Sequence, residues 1–161
     1  MNAISYTPIG VIRSPFQTPA GMPVQAVAAT GVAGMIELDP TYQDGLQDLE
    51  GFSYLLLLYH FHLVRRSASL VVTPFLDDQP HGVFATRSPQ RPNPIGLSVV
   101  RLVRVAGSQV YIEDVDVVDG TPLLDMKPYV PALDVREATG IGWFAHRLDR
   151  LDHVRADQRF S

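Results

Sequence analysis

The stretch His81-Gly-Val-Phe-Ala-Thr-Arg-Ser-Pro-Gln-Arg-Pro-Asn-Pro-Ile-Gly-Leu-Ser98 sets two arginines and three prolines between two apolar segments, Val83 to Ala85 and Leu97 to Val103. Proline fixes φ and disfavours helix for the residue before it. Ser88-Pro89, Arg91-Pro92 and Asn93-Pro94 therefore predict a stiff, extended loop that returns directly into a strand. A stiff loop carrying guanidinium groups suits a planar or anionic ligand, because little ordering entropy remains to be lost on binding. Taken alone, it also reads as a rigid surface turn with Arg87 and Arg91 solvated.

Outward from this loop the chain reads mostly as strands. Ile4 to Ile12 is rich in β-branched residues and ends at Ser14-Pro15, and a second strand covers Val32 to Leu38. Asp39-Pro40 starts a short helix, since Asp caps and Pro is tolerated in the first turn. Ser53 to His62 is apolar on both faces over much of its length, which predicts a buried central strand. Leu70 to Thr73 and Gly82 to Ala85 are short strands. Leu97 to Val105 and Gln109 to Val118 form a hairpin through Ala106-Gly107-Ser108, with a break at Glu113-Asp114 that fits a bulge. Short strands separated by regular turn signals predict an all-β sandwich or barrel. From His146 the sequence changes character. Leu148, Leu151 and Val154 stand three apart among charges, a narrow helical stripe or a frayed end.

Composition narrows the function. With 161 residues the chain suits one domain with a real core. Cysteine is absent, which excludes disulfides, a cysteine nucleophile and a thiolate metal site within this sequence. The longest apolar run, Tyr54 to Tyr59, is too short to span a bilayer, so no membrane association is expected. No basic segment followed by an apolar core opens the chain, which makes a cytoplasmic location the expectation. The net charge of −4 complicates a nucleic-acid reading, which then needs local patches such as Arg65-Arg66, Arg87 with Arg91, or Arg101 with Arg104.

Familiar nucleotide motifs are missing. Gly31-Val-Ala-Gly34 lacks the third glycine and the strand-loop-helix setting of a dinucleotide fingerprint. No P-loop or Gly-x-Ser-x-Gly elbow occurs. His60 and His62 stand two apart on a predicted strand and share a face. A metal there needs a third ligand, and nothing in the spacing selects one, so no metal is expected. Asp119-Gly-Thr-Pro122 is a turn by composition, and Lys127 has Asp125 within reach as an ordinary ion pair.

The run Gly82 to Ser98, with a second block Asp116-Val-Val-Asp-Gly-Thr-Pro-Leu-Leu-Asp-Met-Lys-Pro-Tyr-Val-Pro131, closely resembles the signature of the TsaA-like (YaeB-like, TrmO) tRNA methyltransferases. Ile9-Gly-Val-Ile-Arg-Ser-Pro-Phe16 and Leu46-Gln-Asp-Leu-Glu-Gly-Phe-Ser53 resemble its opening turn and the entry to its central strand. The likeness covers roughly residues 4 to 145. It implies a mostly β fold, a small β-barrel with short peripheral helices in residues 1–145, followed by a charged C-terminal tail, 146–161. It also implies S-adenosylmethionine as cofactor and tRNA as partner, with N6 of threonylcarbamoyladenosine beside the anticodon methylated by a homodimer.

The resemblance further assigns the cofactor pocket to Pro23, Val24, Gln25, His62, Leu63, Arg87, Leu97, Asp119, Gly120, Thr121 and Pro122. Ala26 departs from the proline that commonly follows the family's glutamine, which loosens the expectation for Gln25. Transfer of methyl from a sulfonium to nitrogen is chiefly a matter of alignment. The sequence names no single base for the departing proton: His62, Asp119 and Tyr129 are the candidates. Two rival readings remain at this level, a methyltransferase for a small metabolite and a module that binds S-adenosylmethionine without transferring methyl.

Overall fold

The computed structural model describes residues 2–64, 68–151, 153–157 and 160. Arg65 and Arg66 lie outside the described residues. Eight strands form among the described residues: β1 (Gly10–Arg13), β2 (Gly34–Leu38), β3 (Tyr54–His60), β4 (Val71–Val72), β5 (His81–Gly82), β6 (Ile95–Ala106), β7 (Gln109–Glu113) and β8 (Thr121–Pro128). Six of them close into a barrel in the order β1-β2-β7-β6-β3-β8, every ladder antiparallel. β4 and β5 pair separately. Closure removes the unpaired edges that a small open sheet would expose.

Side-chain alternation fills the interior. Ile12, Ile36, Leu38, Leu55, Leu57, Tyr59, Val100, Val110, Ile112 and Leu123 point inward and are buried. The prediction that β3 is buried on both faces is corrected: only Leu55, Leu57 and Tyr59 are buried, while Tyr54 is exposed and Leu56 and Leu58 are half-covered. β6 repeats the pattern, with Gly96, Ser98 and Val100 inside and Ile95, Leu97 and Val99 exposed. Where the two strands pair, the barrel thus carries apolar side chains on its outer surface.

Several boundaries differ from the sequence reading. β1 starts at Gly10, not Ile4; Ile4 and Tyr6 are exposed. Of the strand expected over Gly82 to Ala85 only Gly82 is extended, at the end of β5, because Val83–Ala85 forms a 3-10 turn. Asp39 caps the following turn as expected, its carboxylate accepting from Thr41 N at 2.9 Å. β7 stops at Glu113, where Asp114 takes a left-handed φ of 68°, and the register irregularity falls on β6 between Leu102 and Arg104.

The tail forms no continuous helix among the described residues. Gly142–His146 and Leu148–Arg150 are 3-10 turns. The chain then returns to the loop before Gln25: Ala156 N donates to Met22 O at 2.9 Å, and Arg155 bridges Pro23. A clasp fixes the segment. Trp143 stacks on His81 with centroids 4.6 Å apart and donates from Nε1 to Ala85 O. Arg147 and His81 each reach one oxygen of buried Asp77 at 3.1 Å.

Candidate active site

The C-terminal ends of β3 and β7 and the N-terminal ends of β6 and β8 meet at one end of the barrel, as antiparallel pairing requires. Two adjoining hollows open there. One, about 120 Å³, lies against His62, Leu63, Thr121 and Pro23 and is otherwise mainly apolar. The other, about 560 Å³, lies against Val24, Gln25, Arg87, Arg91 and Leu97. Tyr59, Phe61, Pro89 and Asp116 line both. A cleft of about 680 Å³ carries the second hollow on from Arg87 and Asp116 beneath Phe144, Leu148 and Leu151 of the tail.

The proline-rich loop forms no helix and returns directly into β6, the path its sequence predicts. Arg91 folds back on it, Nη1 donating to Thr86 O at 3.3 Å, so this arginine braces the loop. Arg87 is exposed rather than turned to the interior, and its Nη1 donates to Gln25 Oε1 at 2.8 Å. Gln25 in turn donates from Nε2 to Val24 O at 2.6 Å. The guanidinium therefore sits at the mouth of the larger hollow with its position fixed by a neutral partner.

Asp116 lies where the hollows meet. It was not among the residues singled out from the sequence. Its Oδ1 accepts from Ser98 Oγ at 2.6 Å, and the Tyr59 hydroxyl is 3.0 Å from the same Oγ. Ser98 has one hydroxyl hydrogen and gives it to the carboxylate, so Tyr59 donates to Ser98. This Tyr59–Ser98–Asp116 relay runs from the barrel core to the cleft. Loss of water pushes the Asp116 carboxyl up to about 6, against Ser98 and the Arg87 guanidinium, which favour the charged form. Tyr59 is held protonated, its phenol raised by burial and then by the Asp116 charge.

The other predicted residues separate. His62 follows the end of β3, so it does not share a strand face with His60; its Nδ1 is 3.3 Å from Thr121 Oγ1. Thr121 gives its own hydrogen to Val118 O at 2.8 Å, which leaves the imidazole proton on Nδ1 as the donor to Thr121. Partial burial, then the neighbouring His60, lowers the His62 pKa and favours the neutral ring.

Asp119 accepts from Ser14 N at 3.1 Å and faces Arg13 at 3.7 Å, tying the opening turn to the barrel. Gly120, with φ of 78°, donates to Ile12 O, and Pro122 pairs with Val11. Asp119, Gly120 and Pro122 thus build the turn that carries Thr121 and line neither hollow. Tyr129 packs edge-on against Tyr54, also outside both.

Among the predicted basic patches, Arg101 pairs with Glu113 and Arg104 covers the Tyr111 ring at 3.5 Å. Lys127 pairs with Asp125 at 2.7 Å, and both are exposed. No group of three or more His, Asp or Glu side chains is placed to hold a metal among the described residues. No helix among them is long and apolar enough to cross a membrane.

Comparison with known proteins agrees with this architecture. The family described as "tRNA-methyltransferase O N-terminal domain" matches residues 11–135. A "Probable S-adenosyl-L-methionine-binding protein" of Pyrococcus abyssi is 52% identical over 157 residues, 98% of this chain and 85% of the relative. The "tRNA (adenine(37)-N6)-methyltransferase" of Mus musculus is 35% identical over 150 residues, covering 88% of this chain and 34% of its own length. The crystal structure of TrmO from Pseudomonas aeruginosa superposes with a TM-score of 0.74 at 37% identity, over 88% of this chain and 63% of that one. A six-strand barrel, a family match over most of its length and a relative 52% identical over 98% of the chain make this chain a member of the TrmO family.

Proposed function

We propose that this protein is an S-adenosylmethionine-dependent tRNA methyltransferase, and that its acceptor is N6 of threonylcarbamoyladenosine beside the anticodon. The observation that carries the reading is the pair of joined hollows with Arg87 at one mouth and Asp116 where they meet. The larger hollow falls within the range of small-molecule sites, and its apolar walls, with the Arg87 and Arg91 guanidiniums and one carboxylate, suit a cofactor with an aromatic base and a charged amino-acid end. Val24, Gln25, Arg87 and Leu97 would hold it on one side, and Pro23, His62, Leu63 and Thr121 on the other. Asp119, Gly120 and Pro122 would serve by shaping the turn. When bound, the cofactor supplies an electrophilic methyl on sulfur; the protein's work is to align the acceptor and exclude water.

The outer face of β6 supports a second part of the proposal, that two chains form the working unit. Leu97 is 52% exposed, and Ile95 and Val99 flank it on the same face, continuous with the Arg87 hollow. A twofold partner seated there would cover this stripe and wall the cleft. A cleft shared in this way could hold the splayed bases of an anticodon loop.

Incubation with methyl-labelled S-adenosylmethionine and total tRNA, followed by nucleoside mass spectrometry, tests the reading. The expected product is threonylcarbamoyladenosine one methyl heavier. Label in small molecules instead would assign a metabolite methyltransferase. Tight binding without transfer would assign a binding module, the property that the Pyrococcus abyssi relative's name states.

A further inference from the structure

Resting on that functional reading, we propose that Asp116 is the proton acceptor of the reaction, poised by Ser98 and Tyr59 at the junction of the two hollows. The argument starts from placement. Asp116 is the only carboxylate among the described residues that lines both hollows. Of the other nearby carboxylates, Asp114 accepts from Gly31 N at 2.7 Å, Asp119 holds Ser14 N, and Asp77 anchors the tail clasp, while Asp157 of the tail lines the smaller hollow and not the larger.

The surroundings of Asp116 suit a base. β6 contributes the Ser98 hydroxyl, β3 the Tyr59 hydroxyl behind it, and the loop before β6 the Arg87 guanidinium. The Ala26 backbone N–H also stabilises the charged form. Asp114 lines the continuing cleft, and the tail presents the apolar Ile141, Phe144, Leu148 and Leu151. Burial raises this carboxyl to about 6, a better proton acceptor than an ordinary carboxylate and still ionised at neutral pH.

The balance is simple. As the methyl–nitrogen bond forms, the methyl–sulfur bond breaks and its electron pair stays on sulfur, discharging the sulfonium. The acceptor's N–H proton passes to the Asp116 carboxylate, leaving a neutral methylated product and a neutral carboxylic acid. Ser98 acts as a positioning residue: its hydrogen on Oδ1 orients the carboxylate and lowers its pKa.

The experiment has two readouts. Carbon-detected NMR titration of the ligand-free protein is expected to find a carboxyl titrating near 6. Asp116→Asn should remove it, and Ser98→Ala should move it to higher pH. Single-turnover transfer to tRNA by the parent protein is expected to fall about tenfold per pH unit below that value. Asp116→Asn should slow single-turnover transfer at saturating cofactor at least about a hundredfold, the usual scale for a lost base. The Ser98→Ala acid limb should rise with the NMR value, which keeps the test decisive if Asp116→Asn fails to fold. Transfer by Asp116→Asn within threefold of the parent, or an acid limb in Ser98→Ala that stays put while its carboxyl moves, would overturn this role alone. A parent protein that methylates no tRNA would overturn the functional reading and this role with it.

Discussion

Replacing Gly96 by alanine tests whether the barrel core and the relay are one structure. Gly96 pairs directly with Tyr59 across the β6–β3 ladder. Any Cβ at position 96 would run into the Tyr59 ring. That ring is 4% exposed and has Phe61 edge-on against it at 5.4 Å, so it has little room to withdraw. Overpacking of this kind costs about 1–3 kcal/mol. Displacing the Tyr59 hydroxyl from Ser98 adds about 1 kcal/mol for a buried hydrogen bond. The sum, roughly 2–4 kcal/mol, corresponds in a chain of this size to a melting point lower by about 5–15 °C. Thermal unfolding by circular dichroism reads it, with Tyr59→Phe as the control that keeps the ring and removes only the hydroxyl. Tyr59→Phe should lose about 1 kcal/mol. A Gly96→Ala protein that melts within 1 °C of its parent would show that Tyr59 can move freely, and the reasoning about a rigid floor beneath Asp116 would fail.

Three other outcomes follow from the same geometry. Arg87→Lys keeps the charge but loses the planar fork that meets Gln25, so methyl transfer should drop at least about tenfold with the melting point within 2 °C; equal activity would return Arg87 to a solvated surface role. Asp77 is buried, yet hydrogen bonds from His81, Arg147 and the N–H groups of Asp78 and Gln79 outweigh that burial and hold its carboxyl well below the usual range. Its stabilisation is therefore present above the ordinary carboxylate pKa near 4 and lost as pH falls toward the folded value. Fluorescence of Trp143, the single tryptophan, should report release of the tail in that acid window, and Asp77→Asn should show the released signal at neutral pH; an unchanged spectrum would dismiss the clasp. Light scattering at micromolar concentration should give twice the chain mass, falling to one chain in Leu97→Glu; a parent that scatters as a single chain would remove the shared cleft.

The strands that were legible in the sequence have one buried face and clean ends. β6 and β7 announce themselves by alternation around Gly107, which supplies a φ of 60° at the turn. β8 was not legible, since Pro122, Asp125, Lys127 and Pro128 all speak against a strand with neighbours on both sides. The register removes the conflict. β8 meets β1 only over Thr121 to Leu123 and β3 only over Leu123 to Pro128, so each proline has a neighbour on one side alone. The ends of β8 behave as edges although its middle does not, and no local pattern encodes that offset.

Asp116 was hidden for a related reason. In sequence it is one acid among Glu113-Asp-Val-Asp116, inside the predicted strand Gln109 to Val118 just past its break, where nothing local sets it apart. Its partners come from β6, eighteen residues earlier, and from β3, beyond any local window. The available signal was the pair of buried valines around it, Val115 and Val117, which continue the core past the end of β7 and draw the intervening carboxylate down beside the barrel mouth. Motif resemblance drew attention instead to Asp119, three residues on. The structure divides the labour between them: Asp119 ties Ser14 and Arg13 and so helps close the barrel. Asp116, carried on the same short segment, is left facing the cleft with a hydroxyl relay behind it. The two acids of one sequence block thus part in the fold: the more recognisable one ties the barrel turn, and the plainer one lines the cleft.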